Sequence, residues 1–436
     1  MQIPPYVQQC LDALEKAGFA AYIVGGCVRD SLLGLTPNDF DMCTSALPEE
    51  TEAIFAGHQL VLNGKKHGTV GVVTEGGVVE ITTFRTEGDY ADNRHPQWVR
   101  FVPNIEEDLA RRDFTVNAMA YSPIHGLADP FGGREDLKQG ILRAVGDPAT
   151  RFREDSLRIL RGVRFAVKYR LTPDPATLQA MEDLRHLMDN LARERVFSEL
   201  CKLLPLVNAQ DLLRYARILA AVIPELEPMI GFDQRSPHHA YDLFRHTAWV
   251  TASLPQDLTL RWTGLLHDTG KIATFSLDDT GRGHFYGHAK ESAAIADRVL
   301  SELKAPTQLR QEVMELAGQH MTALEPDKKL LRRRLSRMGS TQLHRLLLLQ
   351  EADMGSKGTG KAPSPDRFRQ IHQLLQEIES EDGCLSLKDL AVNGRDMMEL
   401  GLQGPQIGRT LNRLLDLVLD EVIPNQREIL LEEALK

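Results

Sequence analysis

The sequence predicts an α+β fold: a small mixed-sheet head over residues 1–150, then mostly α-helical segments to the C-terminus. Three observations predict it. Short β-branched runs (Ala21 to Val24, Thr69 to Thr74, Val78 to Thr83) are confined to the first 150 residues. From Arg151 onward apolar residues recur at helical spacing and glycine becomes scarce. The helical part is then broken twice, at Pro224, Pro228 and the Gly231 to Pro237 stretch, and at the linker-like Gly355 to Pro365. The breaks bound four segments, 1–150, 151–230, 231–365 and 366–436, with no internal repeat.

The first strand, Ala21 to Val24, runs into Gly25-Gly26, whose backbone can approach a phosphate chain without Cβ interference. Arg29 offers charge to such a group. Asp39-Phe-Asp41 follows. Residues two apart on an extended strand share a face, so the two carboxylates are expected side by side. There they repel unless cations separate them, and a pair of Mg²⁺ ions, hard cations that keep open positions for phosphate, is the usual answer. A solvated strand end would account for an isolated Asp-x-Asp, but less readily for one joined at this spacing to Gly-Gly-x-x-Arg-Asp. Val79 to Arg85 reads as a neighbouring strand. Thr86 to Pro103, with Asp89, Asp92, Asn93, Arg94 and Pro96, is polar, weakly periodic and reads as a mobile loop. Arg111-Arg112-Asp113 opens a helix-like run in which the arginines can pair with phosphates or make surface salt bridges. Asp113 can hold a ribose hydroxyl or cap the helix. In Glu154-Asp-Ser-Leu-Arg158, Asp155 and Arg158 at i and i+3 are expected on one helix face. Gly162 lies on that face and leaves room for a flat base; Leu157, Leu160, Val163 and Val167 face the core. An i,i+3 salt bridge is the plain alternative.

Composition bounds the function. At 436 residues, 42% hydrophobic and 26% charged, the chain holds two or more domains with ordinary cores. No apolar run approaches a membrane span, and the N-terminus has neither a basic nor an apolar leader region. Cys10, Cys27, Cys43, Cys201 and Cys384 form no Cys-x-x-Cys pair, an odd set that fits a reducing cytoplasm. The net charge of −10 does not exclude nucleic acid, because phosphates respond to charge within about 8–10 Å. Between Arg151 and Arg170 seven Lys/Arg face two acids, and a second basic run spans Lys328-Lys329 and Arg332-Arg333-Arg334.

Gly25-Gly-Cys-Val-Arg-Asp30, Asp39-Phe-Asp41, Arg111 to Ala118, Glu154-Asp155-x-x-Arg158 and Gly401-x-x-Gly404-Pro405-x-x-Gly408 together resemble successive motifs of the class II tRNA nucleotidyltransferases, the CCA-adding enzymes. That family shares its catalytic head with bacterial poly(A) polymerases. The resemblance implies a nucleotidyltransferase head (1–150), a base-reading neck (151–230) and a tail contacting tRNA (366–436). It implies catalytic Asp39, Asp41 and Arg112, with Asp39, Asp41 and Glu80 as ligands to two Mg²⁺ ions. It implies nucleotide binding by Gly26, Arg29, Arg111, Arg112, Asp113, Asn117, Asp155, Arg158, Arg161 and Arg164. The 86–103 loop would help the site move from cytidine to adenosine addition.

The reading chemistry can be argued directly. Cytosine and adenine each present an amino donor beside a ring-nitrogen acceptor, complementary to a carboxylate (Asp155) beside a guanidinium (Arg158). Guanine and uracil present a carbonyl beside an N–H, and mismatched buried polar groups are strongly rejected. In segment 231–365, His246, Leu266-His267-Asp268-Thr-Gly-Lys271 and Asp353 resemble an HD-type metal site, and His288 and His320 look like the extra histidines of binuclear members. Such a set suits Mn, Fe, Co or Ni as well as Mg, and hydrolyses phosphoesters. The expected activity is addition of C, C and A to tRNA from CTP and ATP, with an appended HD phosphohydrolase. Three rivals stay open: an A-adding enzyme, a poly(A) polymerase, and an HD phosphohydrolase whose head only grips RNA. Gly64-Lys-Lys-His-Gly-Thr69 is nearer the tRNA type than the Gly-Arg-Arg-Phe-like insert usual in poly(A) polymerases.

Overall fold

The computed structural model describes residues 1–90, 96–237, 239–358, 365–381 and 385–436. Asp92, Asn93 and Arg94 of the expected loop, positions 359–364 of the expected linker and Cys384 lie outside the described residues. The chain divides into two compact units, Met1–Val207 with Arg214–Glu227, and Asn208–Leu213 with Pro228–Lys436. Most of the expected 1–150 and 151–230 segments falls in the first unit, but Asn208–Leu213 and the stretch from Pro228 belong to the second. No helix among the described residues is long and apolar enough to cross a membrane.

A mixed seven-stranded sheet organises the first unit, in the order β3-β4-β5-β2-β1-β8-β9. Its strands are β1 (Ala21–Val24), β2 (Met42–Thr44), β3 (Leu60–Val61), β4 (Thr69–Thr74), β5 (Gly77–Thr83), β8 (Ala120–Ser122) and β9 (Gly126–Ala128). β2 and β5 run parallel with Met42 opposite Ile81, and the other neighbours are antiparallel. Tyr22, Val24, Cys43, Phe84, Leu109 and Ala120 pack together in its core. The Asp39–Asp41 stretch is not itself a strand. It enters β2 directly, with the Asp41 carbonyl accepting from Val24 N at 2.9 Å.

Four local expectations are corrected. Residues 86–103 are not a loop throughout: β6 (Arg85–Tyr90) and β7 (Pro96–Phe101) pair antiparallel, with Gly88 opposite Trp98. A Cβ on Gly88 would meet the Trp98 indole at 2.0 Å, so the ring covers the glycine and the pair supplies the cross-strand packing that a polar sequence hides. Arg111 does not open a helix but closes one, Ile105–Ala110, and the turn Thr115–Asn117 follows. Asp155 and Arg158 do not share a helix. Asp155 ends the Pro148–Glu154 helix at φ −143°, and a second helix, Leu157–Tyr169, begins after Ser156. Aspartate competes for nearby backbone N–H groups, and here Asp155 Oδ1 accepts from Leu157 N at 3.1 Å, ending one helix and starting the next. Gly162 faces the core instead of a ligand, since a Cβ there would meet Phe114 at 2.9 Å.

The second unit is helical, its core formed by Val250, Leu260, Leu316, Leu343, Leu346 and Leu347 together with Phe368, Ile371 and Leu375 of the Pro365–Ser380 helix. Met397, Leu414, Leu419 and Leu430 form a separate cluster towards the C-terminus. The basic run at 328–334 is partly neutralised within the chain: Lys328 and Arg332 pair with Glu381 at 2.6 Å, Arg332 also with Glu421, and Arg333 with Asp420.

Candidate active site and candidate metal centre

β1 delivers the chain to Gly25, whose φ of 78° favours glycine and whose Cβ would sit 3.1 Å from Arg112 Nη1. Tight approach at this turn brings the Gly26–Leu32 helix, with Arg29 on it, beside Asn117. A cavity of about 570 Å³ opens here, lined by Gly25, Gly26, Arg29, Asp39, Asp41, Arg111, Arg112, Asp113, Asn117, Asp155, Leu157, Arg158, Arg161, Arg164, Phe165 and Arg195. Every nucleotide-binding residue expected from the sequence therefore lines one cleft. Glu80, the expected third metal ligand, does not. It is exposed on β5, and no three-carboxylate group forms with Asp39 and Asp41 among the described residues.

Charge is distributed unevenly. Asp108, buried beneath the cleft, accepts from Arg111 at 2.9 Å and Arg112 at 3.2 Å; burial alone would raise its carboxyl, but the two guanidiniums outweigh it and hold it low. Asp113 is likewise buried, bonded to Asn117 Nδ2 at 3.0 Å and to Arg161 at 2.7 Å, and these partners overcome burial to bring its carboxyl down to about 2. Asp41 behaves oppositely. Though accessible from the cleft, it is hemmed in by protein, and its carboxyl is raised by loss of water first, then by Glu80 and Asp39, with Arg112 acting against them. Negative charge without full compensation, on acceptor-only oxygens, fits a divalent cation.

The base-reading pair is arranged differently from the sequence expectation. Arg158 is 9% exposed and donates to Glu154 at 2.6 Å and to the carbonyls of Arg151 and Arg111. Asp155 Oδ2 accepts from Arg195 at 2.8 Å. Arg195, forty residues from Asp155 and not singled out in the sequence, is thus part of the cleft, and its buried Nη1 has no partner. Phe165 was also missed; the guanidiniums of Arg164, Arg161 and Arg29 lie 4.3, 5.2 and 5.3 Å from its ring centre. Spacing alone gave no signal for either.

In the second unit the six expected HD residues converge, His246, His288 and Asp353 from three helices and His267-Asp268 and His320 from the turns that end two others. Their ligand atoms form two groups sharing Asp268: His246, His267, Asp268 and Asp353, and Asp268, His288 and His320. The Nδ1 atoms of His246, His267, His288 and His320 each contact a backbone carbonyl, of Ser356, Gly264, Phe285 and Ala317, at 3.2, 2.8, 2.8 and 2.7 Å. Carbonyls only accept, so in His267, His288 and His320 Nδ1 carries the proton and the Nε2 lone pair is left inward, whereas His246 Nε2 faces Asp353 Oδ1 at 2.9 Å. Those Nε2 atoms stand 3.4–3.6 Å from the Asp268 oxygens, near the roughly 3.0–3.4 Å between ligands of one ion held at about 2.1 Å. His288 and His320 point Nε2 at Nε2 across 3.3 Å, and His267 Nε2 is buried with no hydrogen-bond partner. Facing lone pairs repel; a cation between His288 and His320 would remove that repulsion, and one in the His246, His267, Asp268 and Asp353 group would give His267 Nε2 a partner. His239, absent from the sequence expectation, lies edge-on to His246 at 5.0 Å, its imidazole pushed down to about 3 chiefly by burial.

Comparison with known proteins is consistent along the chain. Family models match for the poly(A) polymerase head domain at residues 21–143, the RNA and SrmB-binding site of polymerase A at 170–230, and tRNA nucleotidyltransferase domain 2 at 285–434. A CCA-adding enzyme of Levilactobacillus brevis is 35% identical over 96% of this chain and 94% of its own. One from Geobacillus stearothermophilus is 33% identical over 98% and 95%. Among solved structures, the Bacillus stearothermophilus CCA-adding enzyme in complex with CTP superposes with a TM-score of 0.72 at 29% identity, covering 99% of this chain and 97% of that one.

Proposed function

The chain belongs to the CCA-adding enzymes, and we propose that it completes tRNA 3′ ends by adding C, C and A from CTP and ATP in the cleft of its first unit. One observation carries the reading: a single cavity gathers Gly26, Arg29, Asp39 and Asp41 of the head with Asp155, Arg158, Arg161 and Arg164 of the helical segment. Asp39 and Asp41 would hold the metal. When bound there, the expected pair of Mg²⁺ ions supplies Lewis acidity to the tRNA 3′-hydroxyl and countercharge to the departing pyrophosphate.

The chain's own groups do the rest. Arg112 and Arg29, both lining the cleft, would take phosphate oxygens. Asp155 accepts from Leu157 N and Arg195, which leaves about two of a carboxylate's roughly four lone-pair sites. Arg158 donates through Nη1 twice and Nη2 once, leaving Nε–H and one Nη2–H. An acceptor beside a donor is the complement of the amino and ring-nitrogen edge that cytosine and adenine share. The scaffold, not a nucleic-acid template, thus selects the base. Asp113 and Asn117 serve mainly to position Arg161 and Arg29.

The test uses tRNAs ending at the discriminator base, at C and at CC, each with one labelled nucleotide and Mg²⁺. CTP should extend the first two and ATP only the third. No extension of the first two ends by CTP, with ATP still extending CC ends, would make this an A-adding enzyme, and unlimited A addition a polymerase of poly(A).

A second reading belongs to the second unit. The facing Nε2 atoms of His288 and His320 and the shared Asp268 favour a two-cation centre taking Mn, Co or Ni. His246, His267, Asp268 and Asp353 would hold one ion, and Asp268, His288 and His320 the other. Such ions supply an activated water when bound. The fitting substrate class is a terminal or 2′,3′-cyclic phosphate, which blocks the hydroxyl that nucleotide addition requires.

A further inference from the structure

Arg29 is held more tightly than a phosphate-binding arginine at a cleft wall needs for charge alone. Its Nε and Nη2 contact Asp30 Oδ1 at 2.8 and 2.7 Å, and its Nη1 donates to Asn117 Oδ1. Nη2 also donates to the Tyr169 hydroxyl at 2.5 Å, while the guanidinium carbon sits 4.1 Å from the Tyr169 ring centre. A guanidinium has five N–H donors, and these contacts engage four, leaving one Nη1–H. Asp30 balances the charge, so what Arg29 brings to a ligand is one aimed donor, and aim depends on what fixes the plane.

Two of the fixings come from the same helix. Tyr169 is the last residue of Leu157–Tyr169, and its ring stacks at 29° on Phe165 one turn earlier. Arg161, on that helix too, binds Asp113, which binds Asn117, which accepts from Arg29. The helix that carries Arg158 therefore clamps Arg29 directly at Tyr169 and indirectly through Arg161.

We propose that Tyr169 is a positioning residue for the triphosphate: its hydroxyl and ring orient the Arg29 guanidinium so that the remaining Nη1–H meets a phosphate oxygen. The inference rests on the reading of Arg29 as a triphosphate residue. It makes Tyr169 indifferent to the base, because the phosphate chain is common to CTP and ATP.

The experiment measures, on the full-length enzyme in Mg²⁺, dissociation constants for CTP and CMP, and KM for CTP and ATP on tRNAs ending in C and CC. Tyr169→Phe, which keeps the ring and removes the acceptor, should weaken CTP binding by about tenfold, as loss of a bond to a charged group does, and raise both KM values alike. CMP binding and the preference for CTP over UTP should not change. Tyr169→Leu, which removes ring and acceptor, should weaken CTP further, with folding checked by circular dichroism. Arg29→Lys separates the two layers. If it leaves the ratio of CTP to CMP affinity unchanged, the reading of Arg29 fails. If it collapses that ratio while Tyr169→Phe does not move it, the role of Tyr169 is overturned. A Tyr169→Phe enzyme that loses CMP and CTP affinity equally also overturns it, since Tyr169 would then support the cleft as a whole.

Discussion

Replacing Asp113 with Asn should remove a stabilisation of the first unit that exists only above acidic pH. Asp113 is 7% exposed and its carboxyl lies at about 2 in the fold against an ordinary 3.8, because Arg161 and Asn117 outweigh the cost of burial. A folded value below the unfolded one contributes stability that is complete above the unfolded value and lost as pH falls through the folded one. This lowering corresponds to about 2 kcal/mol at pH 6, roughly half of that at pH 3, and well under 1 kcal/mol at pH 2. Asn mimics the protonated carboxyl, so wild type and Asp113→Asn should differ by about 2 kcal/mol at pH 6 and converge towards pH 2. Amide hydrogen exchange over 113–118 and 157–169, followed by mass spectrometry from pH 6 to pH 2.5, reads this locally and is not confused by acid unfolding of the second unit. A gap that stays constant with pH would refute the reasoning, since it would show that the aspartate's shape and not its charge holds Arg161 and Asn117.

Asp39→Ala or Asp41→Ala should abolish nucleotide incorporation while tRNA binding, measured by gel shift, stays close to wild type, because phosphate grip comes from Lys and Arg; near-normal incorporation would refute metal holding at these acids. Asp155→Ala, Arg158→Ala and Arg195→Leu should each slow C and A addition and raise incorporation of UTP and GTP, scored by single-nucleotide extension; base preference equal to wild type in all three would reduce the group to a structural ion-pair set. His267→Ala or Asp268→Ala should leave CCA addition nearly untouched, since those ligands lie in the second unit and the cleft residues in the first. The same changes should lower the content of bound metal, read by elemental analysis, and end Ni²⁺- or Mn²⁺-stimulated hydrolysis of a cyclic-phosphate end; hydrolysis that survives would put the activity elsewhere.

The parts of the site legible in the sequence were those governed by short-range rules. The Ala21 to Val24 strand and the glycine turn are local features, for which a short apolar run and a positive φ suffice, whereas the Asp39/Asp41 pair lines the cleft from the stretch before β2 and not from a strand. Asp155 and Arg158 both line the cleft, but not from one helix face as expected. The i,i+3 rule assumes an unbroken helix, and Asp155-Ser156, two residues that prefer caps, was the available sign of a break. The β6–β7 pairing escaped because its packing depends on Gly88 and Trp98 meeting across strands. Arg195 and the acids that neutralise Arg332 and Arg333 are distant in sequence, and only the fold brings them in. Convergence of the histidines in the second unit was legible as a pattern, whereas their tautomers depend on carbonyls that no motif contains.

The thirteen residues of Leu157–Tyr169 carry Arg158, Arg161, Arg164, Phe165 and Tyr169, and this has a consequence for how the cleft can vary over time. A point substitution removes one contact and leaves the others in place. A single-residue insertion after Leu160 would turn everything beyond it by about 100°, because a turn takes about 3.6 residues, and would withdraw Arg161, Arg164, Phe165 and Tyr169 together. The segment is therefore tolerant of gradual substitution but intolerant of length change. Recombination and grafting should succeed only where it moves as one piece, and its length should be the most rigid character of the protein among sequences that keep the activity.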